Sequence, residues 1–165
     1  MWTHADETHL NDMMICVRQA QEYLKSQGVN QWQNGYPAEN DLQKDIRNGY
    51  SYVYIEEGEV VALATLVEGI EPTYNTIEGK WITDGPYVTI HRIAIRNDKK
   101  GRGIGGSFVD YAAVLATQTG CKSIRIDTHC ENISMQRMIQ KNGFTYCGII
   151  TLLSGDLRNA YEKVL

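Results

Sequence analysis

The chain has 165 residues, 42% of them hydrophobic and 22% charged, with a formal net charge of −4. That length suits one folded domain with its own core, and the balance excludes a disordered or low-complexity chain. An acidic chain is a poor fit to a nucleic-acid partner, which normally requires a basic excess. No apolar run is long enough for a membrane span or a signal h-region, so no membrane partner and a cytoplasmic location are expected.

Cys16, Cys121, Cys130 and Cys147 show no C-x-x-C spacing and fall in helix or strand patterns, so reduced thiols are expected. His4, His9, His91 and His129 are scattered, and no metal site is expected.

Trp2 to Ala5 suits a short edge strand. From Glu7 to Gln27, Leu10, Met13, Met14, Val17, Ala20, Tyr23 and Leu24 recur at helical spacing, which predicts an amphipathic helix closed by Gly28. Val29 to Pro37 is irregular and carries Trp32 and Tyr36 among amide side chains. These aromatics either cap a core or line a substrate pocket. A short helix over Ala38 to Asn48 precedes a hairpin, Tyr50 to Ile55 and Val60 to Val67, turning at Glu57-Gly58. Residues 68–86 form a long connection bearing Tyr74 and Trp81, and such a loop is usually functional or mobile.

Tyr87 to Ile95 is the strand richest in β-branched residues. It leads to Lys99-Lys100-Gly101-Arg102-Gly103-Ile104-Gly105-Gly106-Ser107. Four glycines there expose backbone amides, the helix that follows from about Gly103 turns its unpaired N–H groups to the same point, and three cations add mobile charge. Such a loop is built to wrap a phosphate. The helix ends near Gly120, and Ser123 to Thr128 returns as a parallel strand. Asn132 to Asn142 is a helix with Asn132 as N-cap and Gly143 after its end. Phe144 to Leu153 and Asn159 to Leu165 close the chain as a hairpin around Ser154-Gly155-Asp156.

Gly101, Gly103 and Gly106 also satisfy G-x-G-x-x-G, with Asp127 about twenty residues further on, as in an NAD-binding fold. In that fold the first glycine directly follows the strand and further β-α units come after it. Here Arg96 to Lys100 intervene, the chain ends as an antiparallel hairpin, and the basic triplet goes unexplained. An NAD-binding oxidoreductase-type domain is therefore the weakest of three alternatives.

The strand Ile93-Ala94-Ile95, the Lys100-to-Gly106 loop opening a helix, the strand Ile124-Arg125-Ile126-Asp127, and Asn132 with Lys141-Asn142-Gly143-Phe144 together resemble the GNAT superfamily of N-acetyltransferases, over residues 87–150 and beyond them by element order. The resemblance implies a single-domain α/β fold over residues 1–165, with a mixed central sheet of about six to seven strands flanked by about four helices. It implies acetyl-CoA as cosubstrate. Lys100, Gly101, Arg102, Gly103, Ile104, Gly105 and Gly106 would bind its pyrophosphate. Ile93, Ala94 and Ile95 would part from the neighbouring strand, pair with the pantetheine arm and leave one N–H free as an oxyanion donor. Asn132 would contact the pantetheine or thiol region. Two positions depart from the pattern: Lys100 replaces the usual arginine or glutamine, and Ile139 stands where many members carry a proton-donating tyrosine.

Acetyl transfer by direct attack needs a neutral amine and hence a proton acceptor. His91, Asp127 and His129 are the candidate bases. His91 reads first as a hydrogen-bonded core residue and second as a base, and the alternatives for Asp127 are to cap the Asn132 helix or to hold Arg125. A buried thiol is expected at Cys130, and Tyr146 and Tyr161 read as core aromatics. Trp32, Tyr36 and Trp81 are the candidate acceptor wall, for a small-molecule amine or amino acid derivative. A homodimer through the closing hairpin is a further expectation. The alternative function is a CoA-binding domain without catalysis.

Overall fold

A computed structural model describes residues 1–165 and resolves eight strands and four α-helices. The strands are β1 (Trp2–His4), β2 (Ser51–Glu56), β3 (Glu59–Glu68), β4 (Glu78–Gly79), β5 (Tyr87–Ile95), β6 (Ser123–Thr128), β7 (Thr145–Thr151) and β8 (Leu157–Val164). The helices are α1 (Leu10–Ser26), α2 (Glu39–Arg47), α3 (Ile104–Gln118) and α4 (Ile133–Lys141). The sheet order is β1-β2-β3-β5-β6-β8-β7-β4, a mixed sheet as expected but with one strand more. Contacts gather into two units, residues 1–66 with 91–108 and residues 67–90 with 109–165.

In the first unit β2 runs antiparallel to β1 and β3, with Trp2 opposite Tyr54 and Val53 opposite Leu63. Its core joins Met13, Cys16 and Val17 of α1 to Leu42, Val53, Leu63 and Ala94, with Trp32 and Ile55 packed against them. Each such aliphatic or thioether side chain removed from water contributes about 1.5–3 kcal/mol. Burial also pushes the Cys16 thiol up to about 11. Helix α1 begins at Leu10 rather than Glu7, because Asp6 caps a separate 3-10 turn, Glu7–His9, by accepting from the Thr8 N–H at 2.8 Å. It ends as expected, with Gly28 at φ +70 after the last turn.

In the second unit the first residues of β5 pair in parallel with β6, from Tyr87–Ser123 to Thr89–Arg125. Strand β8 runs antiparallel to β6 and to β7. The unforeseen strand is β4, two residues long and without periodicity to reveal it. It pairs with β7 through Gly79 opposite Gly148, at φ +134 and +147, and a Cβ on either would collide with the carbonyl of Cys147 or of Glu78.

The connection over residues 68–86, expected to be functional or mobile, is tied down by hydrogen bonds. Glu71 caps a 3-10 turn, Pro72–Tyr74, and the Glu71 N–H donates to the Tyr87 hydroxyl at 2.9 Å. The Trp81 indole donates to the Tyr74 carbonyl at 2.9 Å, and Tyr74, Tyr87, Ile150 and Ala160 form a core beneath. Three further expectations change. Cys121 and Cys130 lie outside helices and strands, Cys130 is exposed rather than buried, and Tyr146 is exposed, edge-on to the buried ring of Tyr161. No helix is long and apolar enough to cross a membrane.

Candidate active site

The first unit carries the glycine loop. After a 3-10 turn at Asn97–Lys99, Gly101 and Gly103 take φ +74 and +79, a region that glycine enters without strain. The first bond of α3 runs from the Ser107 N–H to the Gly103 carbonyl at 2.9 Å. Helix geometry therefore leaves the amides of Ile104, Gly105 and Gly106 ahead of it without an intrahelical acceptor. Ser107 pins this end: its hydroxyl donates to the Ile104 carbonyl at 2.7 Å and accepts from the Trp2 indole at 2.9 Å.

The loop cations each have a partner. Lys99 and Arg102 share the Glu56 carboxylate, Arg102 at 3.0 Å, and the Lys99 hydrogen bond holds that carboxyl below its usual range. Lys100 lies over the Tyr23 ring, 3.8 Å from its centroid, where desolvation lowers its affinity for a proton. The amides and helix end thus attract an anion together with two cations in surplus over Glu56.

Strand β5 contributes His91, which is half-buried, then Arg92 in a left-handed conformation at φ +47, then Ile93, Ala94 and Ile95. Sequence reasoning passed over Arg92. Its Nε and Nη2 donate to the two Asp45 oxygens at 2.6 and 2.7 Å, and Nη1 donates to the Tyr36 hydroxyl at 2.5 Å. Asp45, 5% exposed, also accepts from the Thr65 hydroxyl at 3.0 Å. A signal for it existed: Asp45 interrupts the apolar stripe of α2 between Leu42 and Ile46, where an acid needs a buried partner. Desolvation raises the Tyr36 phenol's pKa despite the nearby guanidinium. Trp32 stands at φ +60 against the core, while Tyr36 is 38% exposed.

The second unit holds the remaining candidates. Asp127 accepts from the Tyr74 hydroxyl at 2.6 Å. Tyr74 is buried, and desolvation, then the Asp127 charge, holds its pKa well above the usual phenol value. Nearby, Asn132 caps α4 by accepting from the Met135 N–H, and Arg125 pairs with Glu162. The His129 Nδ1 accepts from the Glu131 N–H at 3.1 Å, so the neutral ring carries its proton on Nε2 and presents a donor there. The Cys130 sulfur lies 3.9 Å from that Nδ1. Trp81 faces the Arg125 guanidinium, 4.2 Å from the ring centroid. Ile139 is fully buried and offers no proton.

Tyr74→Phe deprives Asp127 of this buried donor and should lower stability by about 1–2 kcal/mol, with the melting temperature falling by about 2–8 °C in calorimetry. An unchanged melting temperature would show that the contact contributes nothing to the fold.

Residues 17–144, more than half of the chain, match the model of the acetyltransferase (GNAT) family. The chain belongs to the GNAT family. An acetyltransferase of that family from Streptococcus agalactiae 2603 superposes on this GNAT chain with a TM-score of 0.90 and 37% identity, covering 100% of this chain and 95% of the other. The uncharacterized N-acetyltransferase YesJ of Bacillus subtilis (strain 168) is 23% identical over 138 residues, 81% of this chain and 74% of YesJ. Agmatine N-acetyltransferase shares the fold at a TM-score of 0.70 and 15% identity, covering 100% and 99% of the two chains. This GNAT protein is an acyltransferase, and its glycine loop is open to a ligand: a Cβ added at Gly101 or Gly103 would meet nothing within 4 Å.

Proposed function

We propose that this GNAT enzyme transfers the acetyl group of acetyl-CoA to the primary amine of a small molecule or amino acid derivative by direct attack. The loop from Lys100 to Gly106 carries the reading: positive-φ glycines and the first amides of α3 offer donors to a pyrophosphate. In this reading Ile93 to Ile95 pair with the pantetheine arm, and one N–H of that segment faces the thioester oxygen as charge develops. Asn132, which is buried and caps α4, is the candidate contact for the pantetheine arm or the thiol region in this reading. Acetyl-CoA supplies the activated acyl group; the chain has to orient it, bind the oxyanion and take a proton from the amine.

The acceptor candidates are Trp32 and Tyr36 in the first unit and, separately, Trp81 in the second. Aromatic faces suit an ammonium-bearing or apolar small molecule. The shared fold with agmatine N-acetyltransferase is consistent with a small amine. Three variants assign the base among His91, Asp127 and His129: replacement of the true base removes the ascending limb of the pH profile of kcat/KM. The enzyme works in the cytoplasm in this reading, with all four cysteines free. It associates as a homodimer through the β7–β8 hairpin, whose tip leaves Leu153 97% exposed.

Calorimetric titration with acetyl-CoA, CoA and NAD, followed by thiol release over a panel of small amines and peptides, tests the reading. Acetyl-CoA at a hundredfold excess over Kd should stabilise the fold by about 2.7 kcal/mol. Small amines should release thiol and NAD should have no effect. Absence of CoA binding overturns the reading, turnover on peptides alone overturns the acceptor class, and CoA binding without turnover on any amine favours a non-catalytic CoA domain.

A further inference from the structure

Arg92 combines two features seldom found together. It is a long, branched-headed L-residue in the left-handed region, at φ +47, within a nine-residue strand. Its head group is also fixed by a two-point pair with a buried carboxylate, Nε and Nη2 at 2.6 and 2.7 Å from Asp45. A left-handed residue interrupts strand pleating and turns the next peptide unit out of the ladder. For a residue with a Cβ this backbone is strained and persists only where its surroundings over-determine it. Asp45 is equipped to do so, since Thr65 from β3 fixes the carboxylate at 3.0 Å and both of its oxygens are engaged. The bidentate fork transmits a direction as well as a charge.

We infer that Arg92 is a positioning residue, whose bidentate pair with buried Asp45 holds β5 in the left-handed kink that presents the backbone immediately after it, at Ile93 to Ile95, to the reacting thioester. The inference rests on the acetyl-transfer reading above and names what secures that segment in this chain. The third donor, Nη1, holds the Tyr36 hydroxyl at 2.5 Å, so one guanidinium spans the kink and the candidate acceptor wall within the first unit.

The test exploits the reversal of an ordinary ranking. In a strand, alanine normally outperforms glycine; at a residue forced to positive φ, glycine is the better replacement. Arg92→Gly loses the clamp but adopts the kink without strain, whereas Arg92→Ala loses the clamp and keeps the strain. Arg92→Gly should therefore melt at a higher temperature than Arg92→Ala. In thiol-release assays Arg92→Ala should lose about 30-fold or more in kcat, with KM for acetyl-CoA changed less than about threefold, and Arg92→Gly should recover about tenfold of that loss. A melting temperature for the alanine variant equal to or above that of the glycine variant overturns the clamp. So does an unchanged kcat in Arg92→Ala, or an equal loss in both variants.

Should Arg92→Ala fail to fold, Asp45→Asn supplies the second arm. It retains the shape of the acid but weakens the pair, so Arg92→Gly should cost less stability in that background than in the natural chain. Equal costs overturn the clamp. The melting comparisons need no turnover, so a natural chain inactive on every amine removes the acetyl-transfer reading while leaving the clamp tested.

Discussion

Replacing Glu162 by alanine should cost about 3–5 kcal/mol, the largest loss expected from any single side chain outside the aliphatic core. The carboxylate is 0% exposed and ties β8 to β6 and to the connection at Ile82 and Thr83. Its Oε1 accepts from the hydroxyls of Ser123 and Thr83 at 2.6 and 2.7 Å and from Arg125 Nε at 3.1 Å, while Oε2 accepts from the Ile82 N–H at 2.6 Å. Arg125 donates onward to the Thr83 carbonyl at 2.7 Å and lies between the rings of Trp81 and Tyr87. Removing the acid leaves the buried Arg125 guanidinium without its carboxylate and the Ser123 hydroxyl and the Ile82 and Thr83 amides without their acceptor, and the buried groups carry a desolvation penalty.

The pH dependence follows from the same contacts. Desolvation pushes the Glu162 carboxyl up, but hydrogen bonds from Ser123, Thr83 and the Ile82 N–H, with the Arg125 charge, outweigh it and leave the folded value below the unfolded one of 4.5. Its stabilisation is fully present above the unfolded value and is lost as pH falls through the lower folded one. Urea unfolding of the natural chain should therefore weaken from pH 5 downward, and Glu162→Ala should show a flatter profile over that range. A loss below about 1 kcal/mol at neutral pH would mean that the pair is no better than its apolar equivalent.

What the sequence made legible had short-range causes. The 3–4 spacing of Leu10, Met13, Met14 and Val17 marked α1, Gly28 and Gly143 marked helix ends, and the glycines of residues 101–106 marked the loop. Partners distant in sequence were not legible. Arg92 finds Asp45 forty-seven positions away, Arg102 finds Glu56 forty-six positions away, and the Ile82 amide finds Glu162 across eighty. No local pattern encodes such pairs, although an acid on the apolar face of α2 announced that Asp45 would need one. Strand β4 escaped for a different reason. Two residues have no period, and what permits their pairing is the missing side chain at Gly148 on another strand. Cys130 shows the limit of residue type as a guide: a cysteine is usually buried, but the turn before α4 places this one in solvent.

Gly103→Glu should weaken acetyl-CoA binding by about a hundredfold or more and leave the fold standing. Two physical effects add. The backbone at φ +79 excludes an L-residue without strain of order 1–3 kcal/mol, so the loop must relax and its amides lose alignment. The added carboxylate then occupies the amino-terminal end of α3, where it is favoured by the same unpaired amides and dipole that a pyrophosphate would use, and it repels that pyrophosphate. Because a Cβ at Gly103 meets nothing within 4 Å, the larger side chain has room and unfolding is not expected. Gly103→Ala separates the two effects: it carries the strain without the charge and should lose only about tenfold. Isothermal titration at two salt concentrations reads both variants. The charged variant's deficit should shrink as salt screens the repulsion, and the alanine deficit should not. Equal losses in the two variants would assign the effect to loop geometry alone. Undiminished binding in Gly103→Glu would place the pyrophosphate somewhere other than this loop.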